Sequence, residues 1–171
     1  MTKVAICTVS WNGKKDTIEL LASLKKLDTT GLSTKIFVVS NEKIAGVDVI
    51  FKKANRGSAG GYNDGGRAAL KWGADYLLML NNDTLVKDAN LLKDLLTVAK
   101  SDPKIGVVAP KMYFAPSFEF YKGKYAAKDE GNILWYAGGN FDWKNVMSVH
   151  RGIDEVDTNK YDLVEETKFI N

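Results

Sequence analysis

Residues 76–80, Tyr-Leu-Leu-Met-Leu, are apolar without a break, and the chain then turns abruptly polar at Asn81-Asn82-Asp83-Thr84. An apolar run of strand length closed at once by polar groups is the pattern of a central parallel strand. In open α/β sheets, ligands collect at the carboxyl ends of such strands. The stretch therefore demands layers that cover it, and it delivers one carboxylate, Asp83, to the sheet edge where a ligand would lie. The same four residues also suit a polar turn that caps the next helix. The flanking segments decide between the two.

Those segments alternate. Residues 4–9 are apolar and partly β-branched, and Ser10-Trp11-Asn12-Gly13 supplies a turn after them. From Lys14 the spacing is helical, with Ile18, Leu21, Leu24 and Leu27 on one face. Residues 35–40 and 47–51 read as two further strands. Residues 54–66 hold five glycines in thirteen positions and read as a loop, before residues 67–72 resume a helical register. A strand over 75–80, an amphipathic helix over 88–99 and a buried strand over 105–110, closed by Pro110, complete the series. The alternation predicts an α/β fold with a mainly parallel, Rossmann-like, doubly wound sheet flanked by helices. Aromatic, strand-like pieces at 112–114, 118–121 and 133–136 predict a small antiparallel and loop region after residue 111. The chain is read as one domain over 1–171, with a βα core over 1–110 and edge strands and loops over 111–171. Residues 165–171 end like the middle of a strand.

Charge and cysteine usage narrow the partners. The net charge of +3 comes from 24 basic and 21 acidic residues dispersed along the chain, which argues against nucleic acid as a partner. A lone cysteine, Cys7, excludes an internal disulfide and a cysteine-based zinc site; its apolar setting suits a buried thiol and a cytoplasmic protein. No run of eighteen apolar residues and no secretory leader is present, so no transmembrane segment is expected, and any membrane association is peripheral, at the cytoplasmic face. His150 sits in a polar stretch and reads as a surface histidine.

Three constellations carry chemistry. The glycine stretch is not a dinucleotide fingerprint, because it follows the third strand rather than the first, and no Lys-Ser or Lys-Thr closes it as a phosphate loop. It still allows close approach of backbone to a ligand, with free N–H groups at the helix start for an anion. Asp83 suits Mg2+ or Mn2+, which keep several waters and are commonly held by one or two carboxylates together with a ligand's phosphates. Trp11 offers a ring against which a nucleotide base can pack.

With those residues in place, the chain resembles the family 2 glycosyltransferases of GT-A fold, particularly their bacterial rhamnosyltransferase-like branch. Val9-Ser10-Trp11-Asn12 resembles that branch's strand-one motif, usually of Thr-Tyr-Asn type. Asn55-Arg56-Gly57-Ser58-Ala59-Gly60-Gly61-Tyr62-Asn63 is similar to its Asn-x-Gly-x-Ala-Gly-Gly-x-Asn loop, and residues 74–84 are similar to the strand that ends in its metal motif. Tyr136-Ala137-Gly138-Gly139 and Phe141-Asp142 resemble a later segment. The resemblance implies a nucleotide-sugar donor and inverting transfer to the hydroxyl of a carbohydrate or lipid-linked acceptor. It implies that Val9, Ser10, Trp11 and Ser40 line the base pocket, with Asn12 holding the loop. Asn55, Gly57, Gly60 and Asn63 would border the nucleotide, Arg67 would reach the diphosphate, and Asn81 and Asn82 would flank Asp83, the ligand for Mg2+ or Mn2+.

Two positions depart from the pattern. Many relatives carry an aspartate where this chain has Ser40, and the Asp-x-Asp metal motif reads Asn-x-Asp, with one charge instead of two. The family's general base is expected beyond residue 171. A sugar-phosphate nucleotidyltransferase is an alternative, disfavoured because Ser10-Trp11-Asn12-Gly13 stands where that class carries a glycine-rich loop. A non-catalytic nucleotide-sugar-binding module is the other.

Overall fold

The computed structural model describes residues 1–121 and 123–170. Asn171, the last residue of the strand-like C-terminal stretch, lies outside them. The chain divides into two compact units, Met1–Lys93 and Asp94–Asn171.

The first unit is α/β. Its sheet contains β1 (Thr2–Ser10), β2 (Leu32–Ser40), β3 (Val49–Phe51) and β4 (Tyr76–Asn81), ordered β3-β2-β1-β4, and every pair is parallel. The register sets Ser10 beside Ser40, Val9 beside Asn81, and Ser40 beside Phe51, so the carboxyl ends of all four strands meet on one edge. β1 is the buried axis: Val4, Ala5, Ile6, Cys7 and Thr8 are each at most 2% exposed, which requires cover on both faces. The apolar run at 76–80, read as central, forms the edge strand instead. Among the described residues β4 has a hydrogen-bonded neighbour on one side only, and Leu77 and Met79, which share one face of the strand, are 36% and 56% exposed.

The first helix, α1 (Lys14–Leu24), buries Thr17, Leu20, Ser23 and Leu24; of the expected face Leu24 and Leu27 are buried and Leu21 is half-buried, whereas Ile18 is 48% exposed. Hydropathy passes over Thr17, but its hydroxyl donates to Gly13 O at 2.8 Å, and a satisfied hydroxyl can be buried.

The glycine stretch is the larger correction. It is not a loop: α2 (Gly57–Trp72) starts within it and runs through it. Glycine is a poor helix former, so packing has to supply the reason. A Cβ on Gly61 would stand 2.6 Å from Val9 Cγ1, and one on Gly65 would collide with Cys7 Sγ. The two glycines, four apart on one face, let α2 settle directly onto β1. Ala69 continues that face in a cluster with Ala5 and Phe37, against which Trp72 packs edge-on. Gly73 ends the helix in the left-handed conformation, φ +81°.

A third helix, α3 (Leu91–Ser101), spans the boundary between the units. It starts later than residue 88 because Asp88 instead accepts the Asn90 N–H at 2.8 Å in a preceding turn. Residues 105–110 form no strand; Val107 is 70% exposed, and no ladder partner meets this run among the described residues.

In the second unit β5 (Met112–Tyr113) pairs antiparallel with β6 (Leu134–Tyr136), and β7 (Gly139–Asp142) with β8 (Met147–His150). Its buried apolar residues include Leu96, Ile133, Leu134, Tyr136 and Ala137. Residues 118–121 are not a strand: Phe118 and Phe120 point outward, while Glu119 is buried and accepts the Gly131 N–H. His150 is no free surface histidine. Its Nδ1 lies 3.0 Å from Trp135 O, and its ring contacts those of Trp135, Tyr136 and Phe169. No helix among the described residues is long and apolar enough to cross a membrane.

Candidate functional site

Two adjoining depressions open where the carboxyl ends of β1, β2 and β4 meet the start of α2. Val9, Trp11, Asn55 and Gly57 form the wall they share. The first and narrower runs between β1 and β2 and adds Ser10, Ser40, Lys52, Arg56 and Asp64. The second and wider lies toward β4 and adds Ser58, Tyr62, Asn81, Asn82 and Asp83.

The loops that build these walls are tied down locally. Asn12 has φ +56°, a conformation asparagine tolerates better than most residues. Its N–H donates to Asn41 Oδ1 at 3.1 Å, and Asn41 Nδ2 returns a bond to Asn12 Oδ1 at 2.7 Å, joining the loops after β1 and β2. At the start of α2, Asn55 Oδ1 accepts the Gly57 N–H at 2.8 Å, and Gly57 takes φ +69°. Asn82 Nδ2 donates to Gly13 O at 3.3 Å, linking the end of β4 to the entrance of α1.

The narrower depression has a chiefly apolar surface, with charged groups at its rim. Ser10 Oγ is buried with no hydrogen-bond partner among the described residues, a state that costs roughly 1–3 kcal/mol. Asp64, with a side chain 11% exposed, receives Lys52 at 3.0 Å, Arg67 at 3.3 Å and Arg56 at 3.4 Å. Chiefly through its hydrogen bond from Lys52, its carboxyl is held below the usual aspartate range. One acid thus gathers three cations at the pocket's rim.

The wider depression is polar, and Asp83 is the carboxylate in its wall. No group of three or more His, Cys, Asp or Glu side chains suited to a metal occurs among the described residues. The donor set therefore fits a hard divalent cation only in the manner of Mg2+ or Mn2+, with water and a ligand's phosphate oxygens completing the shell around one protein carboxylate. Tyr62 donates to Asn81 Oδ1 at 2.9 Å, and burial, with the charge of Asp83 adding to it, pushes its hydroxyl up to about 12. It remains protonated at neutral pH.

Of the residues singled out from sequence, Val9, Ser10, Trp11, Ser40, Asn55, Gly57, Asn81, Asn82 and Asp83 line the two depressions. Asn12 supports the wall from behind. Gly60 packs under Arg56, whose Cβ a Gly60 Cβ would approach to 2.6 Å. Asn63 is exposed, and Arg67 is a further step out, reaching the pocket only through Asp64. Lys52, Arg56, Tyr62 and Asp64 were not singled out. The signal for two of them, Tyr62 and Asp64, was helical spacing: once α2 is extended back to Gly57, positions 57, 61 and 64 share one face, and Tyr62 lies beside it.

No protein-family profile and no curated protein matches the chain. Among solved structures, the mannosyltransferase PcManGT from Pyrobaculum calidifontis, in complex with GDP-Man and Mn2+, superposes with a TM-score of 0.48 at 17% identity, over 60% of this chain and 33% of that one. Residues 1–349 of S. aureus TarS superpose with a TM-score of 0.45 at 21% identity, over 67% of this chain and 41% of that one. This chain therefore spans well under half of either protein. Likeness at this level assigns neither a ligand nor a reaction.

Proposed function

We propose that this chain is the donor-binding part of a GT-A glycosyltransferase of the family 2, rhamnosyltransferase-like kind. It would bind a nucleotide-diphospho-sugar for inverting transfer to a hydroxyl of a carbohydrate or lipid-linked acceptor. The observation that carries the reading is the pair of depressions at the carboxyl ends of β1, β2 and β4, divided by Trp11, Asn55 and Gly57. One is chiefly apolar with cations at its rim, and the other presents a single carboxylate among amides.

In this reading the nucleoside occupies the narrower depression, with its base against Trp11 and its polar edge toward Ser10, Ser40 and Lys52. The diphosphate crosses to the wider one past Asn55 and the first N–H groups of α2. Asp83 would hold Mg2+ or Mn2+, which supplies positive charge to the departing nucleoside diphosphate. Lys52 and Arg56, kept in place by Asp64, add to the positive potential that draws an anionic donor in. A non-catalytic binding module remains the second reading, favoured by the single carboxylate in the wider depression, and a transfer assay separates it from the first.

The test is a fluorescence titration with UDP, GDP, dTDP and ADP, in wild type and Trp11→Phe. Saturable quenching by at least one diphosphate, lost or strongly reduced in the variant, supports the reading. Absence of binding by every diphosphate overturns it.

A further inference from the structure

Asn81 stands two residues before Asp83, at the end of β4 and in the wall of the wider depression. Both of its oxygens are already in use. Its main-chain carbonyl accepts the Thr84 hydroxyl at 2.7 Å and the Thr84 N–H at 3.3 Å. Its side-chain Oδ1 accepts the Tyr62 hydroxyl at 2.9 Å across the groove between α2 and β4. A carboxamide oxygen has two lone pairs and its nitrogen two donors; Tyr62 takes one lone pair of Oδ1, and the group Asn81 has left wholly to offer is its NH₂.

We propose that Tyr62 is a positioning residue: by occupying Asn81 Oδ1 it presents the Asn81 amide nitrogen as a donor to a phosphate oxygen of the ligand, and it keeps Asn81 out of the cation's shell. The assignment rests on the donor-site reading above. It gives the two polar positions of the Asn-x-Asp sequence opposite tasks. Asp83 offers oxygen to a cation, and Asn81 offers hydrogen to an anion. The contact is set by fold rather than by neighbouring sequence, since Tyr62 and Asn81 lie 19 residues apart and meet because Gly61 lets α2 sit close to Val9, which is paired with Asn81 in the sheet. The high pKa of the hydroxyl keeps it a donor at neutral pH.

The variant Tyr62→Phe retains the ring and removes the donor. Two constants are measured: Mn2+ affinity without nucleotide, by electron paramagnetic resonance, and UDP and GDP affinity in EDTA, by calorimetry. Released from Tyr62, Asn81 Oδ1 can join Asp83, so Mn2+ binding tightens. The amide is no longer aimed, so metal-free diphosphate binding weakens; each change is about 3- to 10-fold, the range of one hydrogen bond. A residue that merely stabilises the fold would weaken both constants or neither, and either of those results overturns the proposal. Asn81→Asp gives an independent check that leaves Tyr62 untouched: it adds oxygen and removes the donor, and must also shift the two constants in opposite directions. Wild-type protein that binds neither Mn2+ nor any nucleoside diphosphate overturns the donor-site reading itself, and this assignment with it. Wild-type binding with no shift in either variant overturns this assignment alone.

Discussion

Lys52, directly after β3, sets its ammonium 3.0 Å from the Asp64 carboxylate on α2. Arg56 and Arg67 approach the same carboxylate, so three cations share one anion at the rim of the narrower depression. A single acid thus holds a basic rim that would otherwise repel itself apart.

That arrangement has a pH signature. The folded-state pKa of Asp64 lies below its unfolded value, so its contribution to stability is present above the unfolded pKa of about 3.9 and is lost as pH falls from there through the lowered folded value. Asp64→Asn is therefore expected to melt below wild type near neutral pH, and the gap is expected to close at acid pH below about 4. Paired thermal melts across that range check it.

How legible the chain is depends on which force sets each element. The strand ending at Asn81 is visible because apolar residues of β4 give way to polar ones within a single step, and the parallel α/β arrangement follows from repetition of that pattern. The edge position of β4 is not visible, because an apolar run looks the same whether one or both of its backbone sides are paired. Gly57 to Gly66 reads as loop because local propensity opposes a helix there; contact with Val9 and Cys7 overrides it, and that contact lies far off in sequence. Trp11 and Asp83 stand out by residue type, whereas Tyr62 and Asp64 acquire meaning only once the helix is in register. His150 looks solvated from its neighbours in sequence, although the aromatic rings around it come from β6 and from residue 169.

Adjacent glycines of α2 should respond with opposite signs. Gly65→Ala drives a Cβ into Cys7 Sγ and is expected to destabilise by about 1–3 kcal/mol, as overpacking does. At Gly66 a Cβ would meet only Leu77 Cδ2, at an ordinary 3.7 Å, so Gly66→Ala is expected to stabilise by about 0.4–1 kcal/mol through the helix and the unfolded chain. Urea denaturation of the two variants compares them directly.

The loop after β1 depends on the reciprocal bonds between Asn12 and Asn41. Asn12→Ala loses the bond that Oδ1 accepts from Asn41, keeps the main-chain N–H bond to Asn41 Oδ1, and leaves an alanine at φ +56°, with an expected loss of about 1–2 kcal/mol. Asn12→Gly removes the backbone penalty alone and should recover part of that loss. If the two variants are equally stable, the strain component is absent.

The central claim, that the wider depression takes a nucleotide diphosphate together with a cation at Asp83, is tested most directly by calorimetry of UDP and GDP with and without Mn2+, in wild type and Asp83→Ala. The account predicts binding that Mn2+ tightens in wild type, with that tightening abolished in Asp83→Ala while the variant melts as wild type does. Diphosphate binding that Mn2+ leaves unchanged in wild type, or that Mn2+ tightens equally in the variant, would contradict it.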